Sequence, residues 1–167
     1  MFNSDIYSIT TEGASKVRIR NSAKALIVKE EKLLTLKMYE NGDTYYILPG
    51  GGQEHGENLM QALERECMEE IGAEIEIGEL IFVREYIGIN HGLSKHSKAH
   101  QTEFMFLCHV DEKLFENGTN PDNGQIGVEW LPINELLAYQ LFPQDLRAHL
   151  ISYFDGKKVS TYLGDIN

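Results

Sequence analysis

Apolar and polar residues alternate over Lys32–Met38, and an unbroken apolar run covers most of Ala23–Val28. A two-residue period and a short buried run both predict β-strands. Val17–Arg20 alternates apolar with basic residues and reads as a further short strand, and the aromatic, β-branched Thr44–Leu48 as another. Pro49-Gly50-Gly51-Gly52 stops that strand, because proline has no ladder donor and glycine frees the backbone. The period then lengthens. Leu59, Leu63, Cys67 and Ile71 recur every fourth residue with Met60 beside them, which predicts a helix over 58–71. Asn58 or Glu57 is placed to cap its start, and Gly72 to end it.

Strands resume at Glu74–Ile77 and Leu80–Ile87. In Gln101–Val110 the set Thr102, Phe104, Phe106, Cys108 and Val110 is expected to face the core, with Gln101, Glu103, Met105, Leu107 and His109 on a mixed opposite face. Asn-Gly and Asn-Pro pairs punctuate a polar loop over 112–124. A short strand, Val128–Leu131, precedes helical patterns at Ile133–Tyr139 and Asp145–Phe154. Asp155-Gly156 reads as the turn of a last hairpin-like segment running into Val159–Leu163. Interleaved strands and helices predict an α/β (α+β) fold, a mixed sheet with helices on its faces. No repeat or linker divides the 167 residues, so residues 1–167 are expected to form a single domain.

Composition narrows the function. Asp plus Glu number 26 against 15 Lys plus Arg, a formal charge of −11. Such a surface argues against general nucleic-acid binding, which needs a basic face to neutralise phosphates. It leaves room for a phosphorylated small molecule, because divalent cations bridge acidic side chains to acidic ligands. Two cysteines, Cys67 and Cys108, suggest no disulfide framework, and the N-terminus shows no secretory pattern. No apolar run approaches the ~20 residues of a membrane span. The expectation is a soluble cytoplasmic protein without a membrane partner, its apolar content and last hairpin compatible with a homodimer.

The helix over 58–71 contains a conflict. Glu66 and Glu70, four residues apart, lie along the margin of the apolar stripe, and Glu69 just beyond them. Like charges at this spacing destabilise a helix by a few tenths of a kcal/mol, and burial adds to the cost. A hard divalent cation such as Mg²⁺ or Mn²⁺ resolves it, since these ions take carboxylate oxygens. The glycine-rich turn upstream can add a backbone carbonyl. The plain alternative is a solvated acidic face on an inert helix.

The surrounding spacing decides between them. Gly51, Glu57, Arg65-Glu66, Glu69-Glu70 and Gly72 stand at the fixed positions of G-x5-E-x7-R-E-U-x-E-E-x-G-U, where U is a bulky aliphatic residue. This segment resembles the Nudix box, with the Leu48-Pro49-Gly50 lead-in also similar. Cys67 and Ala73 depart mildly at the U positions, being small. Glu129-Trp130-Leu131-Pro132 and the strand order extend the likeness beyond the box.

The resemblance implies an α/β/α sandwich with a central mixed sheet, and metal-dependent hydrolysis of a nucleoside diphosphate linked to another moiety. It implies Glu66 and Glu70 as metal ligands, Glu69 as a further ligand or proton acceptor, and Gly50 as donor of a backbone carbonyl to the metal. Arg65 and Glu57 take the place of the ion pair that steadies the loop and helix, and Glu57, Arg65, Glu66 and Glu69 count as the catalytic residues. The alternative within the same fold is a nucleotide-sensing module without turnover; such modules usually lose box carboxylates, and here all three are present.

Outside the box, Glu103, Glu116 and Asp122 are candidates for the general base, and Glu103, Lys95 and Lys98 for substrate contact. His91, His96 and His100 lie in the one basic stretch; zinc is a weak alternative there, because no cysteine accompanies them. Tyr45, Tyr46 and Trp130 are candidates for stacking on a base or for packing. The substrate expected is a nucleoside triphosphate or an ADP-sugar-like diphosphate.

Overall fold

The computed structural model describes residues 18–92, 98–110 and 118–167. In chain order these are β1 (Arg20–Lys29), β2 (Lys32–Glu40), β3 (Asp43–Ile47), α1 (Leu59–Ile71), β4 (Ile75–Ile87), β5 (His100–Val110), β6 (Gln125–Pro132), β7 (Leu141–Phe142), α2 (Leu146–Phe154) and β8 (Tyr162–Asp165), with 3₁₀ turns at Gly88–His91 and Ile133–Ala138. The strands run in the order β7-β3-β2-β1-β5-β4-β8, with β6 paired to β2. Parallel pairs (β1 with β5, β4 with β8, β3 with β7) mix with antiparallel ones, giving the expected mixed sheet.

Alternation along the central strands builds two cores. Ala23, Ala25 and Ile27 of β1 and Phe106 and Cys108 of β5 pack with Leu63, Cys67 and Ile71 of α1. Leu26 of β1, Phe82 of β4 and Met105 of β5 face the other way, onto Leu146 and Leu150 of α2. The layers are therefore helix, sheet, helix. The mixed face of β5 is accordingly not a polar one: Glu103 and Met105 are buried and Leu107 half-buried beneath α2.

Four local expectations are revised. β1 begins at Arg20, Arg18 and Ile19 belong to no strand, and Val17 lies outside the described residues. Glu74–Ile77 and Leu80–Ile87 merge into one strand, β4, whose register shifts between Ile77 and Phe82 accommodate the intervening polar residues. Ile133–Ala138 is 3₁₀ rather than α, docked through the Ile133 N–H donating to the Glu31 carbonyl at 2.9 Å. Asp155-Gly156 makes no hairpin. It closes α2, with Gly156 at φ +75° and its N–H on the Tyr153 carbonyl, and β8 then pairs in parallel with β4.

One irregularity positions everything that follows. β1 and β2 pair only at Val28–Leu33 and Lys29–Lys32, next to their turn, and then diverge. The exposed edge of β1 is taken instead by the Pro-Gly segment: Ala25 N–H donates to Pro49 O at 2.9 Å, Ala23 N–H to Gly51 O at 3.0 Å, and Gln53 N–H to Asn21 O at 3.0 Å. The splay opens a cleft between the two halves of the sheet. No helix among the described residues is long and apolar enough to cross a membrane.

Candidate active site

The loop that fills the splay leads directly into α1. Asn58 caps the helix, accepting from the Gln61 N–H at 2.9 Å while the Gln61 side chain accepts from the Asn58 N–H at 3.0 Å. Gly72 ends it in the left-handed conformation at φ +65°. The loop entering β6 satisfies the carbonyls left open at that end: Asn120 N–H donates to Glu69 O at 2.9 Å and the Gln125 side chain to Glu70 O at 2.7 Å. The helix is thus fixed at both ends. Of its apolar stripe, Leu63, Cys67 and Ile71 are buried, whereas Met60 points to solvent.

Gly50 and Glu70 close the site at its core. The Gly50 N–H donates to Glu70 Oε2 at 2.7 Å, and Gly50 holds φ +113° with no room for a side chain against the Ala23 carbonyl and Leu63. Glu70 is 2% exposed, and its second oxygen, Oε1, has no hydrogen-bond partner. Burial pushes its carboxyl up to about 8, with Asp122 and Glu66 adding repulsion and Lys24 and the Gly50 N–H opposing. The Gly50 carbonyl accepts a hydrogen bond from Lys24 Nζ.

Arg65 organises the outer side. Its Nε donates to Glu57 Oε1 at 2.7 Å and Nη2 to Glu57 Oε2 at 3.1 Å, a two-point pairing that also reaches the Gly52 carbonyl at 3.1 Å. The guanidinium and the Glu54 N–H hold the Glu57 carboxyl below its ordinary range. Nη1 lies 2.9 Å from Glu66 Oε1 and 3.7 Å from Glu69 Oε1. Gly51 is required beneath Glu66, since a Cβ there meets the Glu66 carboxylate at 2.5–2.6 Å. Glu57, Arg65, Glu66, Glu69, Glu70 and Gly50 therefore occupy one contiguous patch.

The donors in that patch suit a hard cation. They are carboxylate and carbonyl oxygens, and Glu70 Oε1 is a buried acceptor without a donor. Among the described residues, no three His, Cys, Asp or Glu side chains yet converge to hold a metal ion. Glu66 leans on Arg65, and Lys24 covers the Gly50 carbonyl. The residues fit Mg²⁺ or Mn²⁺, provided those two basic side chains yield.

The remaining candidates separate. Glu103 is remote in role from the acids of α1: it pairs with Arg84, Nε to Oε2 at 2.5 Å, and accepts from Gln101 at 2.6 Å. Buried pairing with a guanidinium makes Glu103 a poor proton acceptor, which counts against it as general base. Asp122, exposed on the loop, lies near enough to raise the Glu70 carboxyl. Lys98 is exposed in the turn before β5, and Lys95, His96 and Glu116 lie outside the described residues. His91 Nε2 meets Asp165 at 2.7 Å and its ring stacks on Tyr86; among the described residues no three His, Cys, Asp or Glu side chains group there to hold a metal. Tyr45 packs edge-on against Phe142, Tyr46 against Tyr139, and Trp130 joins the core under α1. Burial raises both thiols, Cys108 to about 12, so neither is a nucleophile.

Two residues in the cleft carry no motif signal. Lys24 and Arg84 sit in strands whose pattern reads as ordinary alternation, and a charged residue amid an apolar run was the only available cue.

The family model for the NUDIX domain matches residues 13–151. No curated protein gives a significant sequence match. Among solved structures, a NUDIX hydrolase from Nitrosomonas europaea superposes with a TM-score of 0.67 at 24% identity, covering 84% of this chain and 92% of that one. A UDP-X diphosphatase gives 0.64 at 21% identity over 91% of this chain and 70% of its own. An ADP-ribose pyrophosphatase from Streptococcus suis gives 0.59 at 16% identity over 89% of this chain and 100% of its own. These likenesses show the fold, and the match across most of the sequence, box included, shows the family. The chain belongs to the Nudix hydrolase family.

Proposed function

We propose that this enzyme is a divalent-metal-dependent pyrophosphohydrolase that cleaves a phosphoanhydride bond in a nucleoside diphosphate linked to a further group, residues 1–167 acting as a single domain. The observation that carries the reading is Glu70 Oε1, a buried carboxylate oxygen without a donor, on a carboxylate whose other oxygen is held by the Gly50 N–H. Glu66, Glu70, Glu69 and Gly50 would hold Mg²⁺ or Mn²⁺. Such an ion, when bound, neutralises phosphate oxygens and lowers the pKa of an attacking water.

The chain's own groups supply the rest. Arg65 and Glu57 fix the loop so that Gly50 and Gly51 keep their approach to Glu70 and Glu66. Glu69, a third exposed and only loosely met by Arg65, is the carboxylate best placed to accept a proton from water. Lys24, on the cleft side of Gly50, is positioned to meet an anionic phosphate entering from the splay. The two unpaired thiols fit a reducing compartment such as the cytoplasm.

The test is a panel of nucleoside triphosphates, dinucleotides and nucleotide-sugars incubated with Mg²⁺, with product analysis. Release of phosphate, pyrophosphate or a nucleoside monophosphate, lost in Glu66→Gln with the melting temperature kept, supports the proposal. Metal binding without turnover on any substrate would leave a nucleotide-binding module in its place.

A further inference from the structure

Arg20, the first residue of β1, is exposed, yet its head group rests on the glycine-rich loop rather than extending into solvent. A Cβ placed on Gly52 would run into Nη2, Nε and Cζ of Arg20, so the guanidinium fills the space that a side chain at position 52 would take. The backbone holds the two residues in this relation. Ser22 forms a bridge with Gly52, and the Gln53 N–H donates to Asn21 O at 3.0 Å.

A second guanidinium reaches the same glycine, with Arg65 Nη2 donating to Gly52 O at 3.1 Å. Two like charges gathered at one residue repel each other. Arg65 is compensated by Glu57 and Glu66. Arg20 is not: among the described residues its guanidinium makes no hydrogen bond and no ion pair, although the chain carries 26 acidic residues. The arginines that serve the fold are paired differently. Arg65 and Arg84 grip carboxylates, and Arg147 donates to the Tyr139 carbonyl.

The open fork lies one residue from the acid patch. Gly51 supports the Glu66 carboxylate, and Gly52 supports Arg20. Consecutive Cα atoms stand about 3.8 Å apart, and arginine has a long, flexible stem. A ligand with one phosphoryl group at the acids can therefore present the next to Arg20. The planar guanidinium offers paired N–H donors to two oxygens of such a group. We propose that Arg20 binds a phosphoryl group of the substrate, the one linked to the group held at the acid patch. This rests on the hydrolase reading for the place of the first phosphoryl group.

The experiment reads binding without hydrolysis. Imidodiphosphate, whose P–N–P bridge stands in for the anhydride, is titrated into the full chain in Mg²⁺ by calorimetry, up to millimolar ligand. Arg20→Met is expected to bind it about tenfold or more weakly than the wild type, with an unchanged melting temperature. Arg18→Met removes the same charge two residues away, on an exposed residue outside the sheet, and should leave the affinity near that of the wild type. That comparison separates a contact from the general field of the protein. Undiminished affinity in folded Arg20→Met, an equal loss in Arg18→Met, or no detectable binding by the wild type overturns the proposal. Should Arg20→Met not fold, Arg20→Gln replaces it, with the same loss expected and undiminished affinity overturning the proposal. Arg20-dependent binding with no turnover of any nucleotide would fail the hydrolase reading alone. Turnover with undiminished imidodiphosphate affinity in the folded variant would fail this inference alone.

Discussion

The Gly50 N–H meets Glu70 Oε2 at 2.7 Å across 20 residues of sequence, joining the glycine-rich loop to the last turn of the helix it precedes. The contact holds a carboxylate where water cannot reach its other oxygen. A group placed so is destabilising to the metal-free protein and useful only when a cation arrives.

A pH dependence follows. Burial raises the Glu70 carboxyl from 4.5 to about 8, so the folded state binds this proton more tightly than the unfolded state. Its contribution to stability is full below about pH 4.5 and is lost as pH rises through about 8. In EDTA, Glu70→Gln is therefore expected to melt at or above the wild-type temperature at pH 8–9. Mg²⁺ is expected to raise the melting temperature of the wild type, and that rise should vanish in the variant. A variant that melts lower in EDTA at that pH contradicts the account.

Gly51→Ala separates site geometry from folding. The three atoms nearest to the added methyl all belong to the Glu66 carboxylate, the movable end of a long side chain. Calorimetry should show Mg²⁺ or Mn²⁺ binding weakened by about ten- to a hundredfold, the range for displaced supporting contacts around a metal, with a melting temperature in EDTA close to wild type. Unchanged metal affinity would place Glu66 outside the ligand set.

Arg65→Lys keeps the charge and removes the fork that grips both oxygens of Glu57. Turnover is expected to fall about ten- to a hundredfold, and hydrogen exchange should quicken at the Glu54 amide, which donates to Glu57 Oε2. Wild-type turnover in a folded Arg65→Lys would show that charge alone suffices there.

The β1–β2 turn is a site of avoidable strain. Glu30 at φ +48° and Glu31 at φ +59° both occupy the left-handed region, which Asn-Gly adopts readily and glutamate does not. The next turn in the chain already uses Asn41-Gly42, at φ +52° and +98°. Replacing Glu30-Glu31 by Asn-Gly is expected to stabilise the fold by about 1 kcal/mol, read as an upward shift in melting temperature with activity unchanged.

Sequence alone determined the elements whose signal is local. The four-residue apolar stripe from Leu59 to Ile71, the Asn58 cap and the Gly72 stop specify α1, because capping and helical periodicity depend on neighbours a few positions away. The spacing from Gly51 to Gly72 likewise carried the family. Tertiary structure decided what depends on partners far along the chain. β5 is covered on both faces because α2 returns over it, which no alternation within 101–110 records. Asp155-Gly156 reads equally as hairpin turn or helix stop until β8 is seen to pair in parallel with β4. Glu103 changed from an apparent free acid to the partner of Arg84, 19 residues away on the adjacent strand. The cleft itself exists because β1 and β2 part after two residue pairs, a consequence of sheet twist and of the loop at Pro49–Gly51 taking the vacated edge.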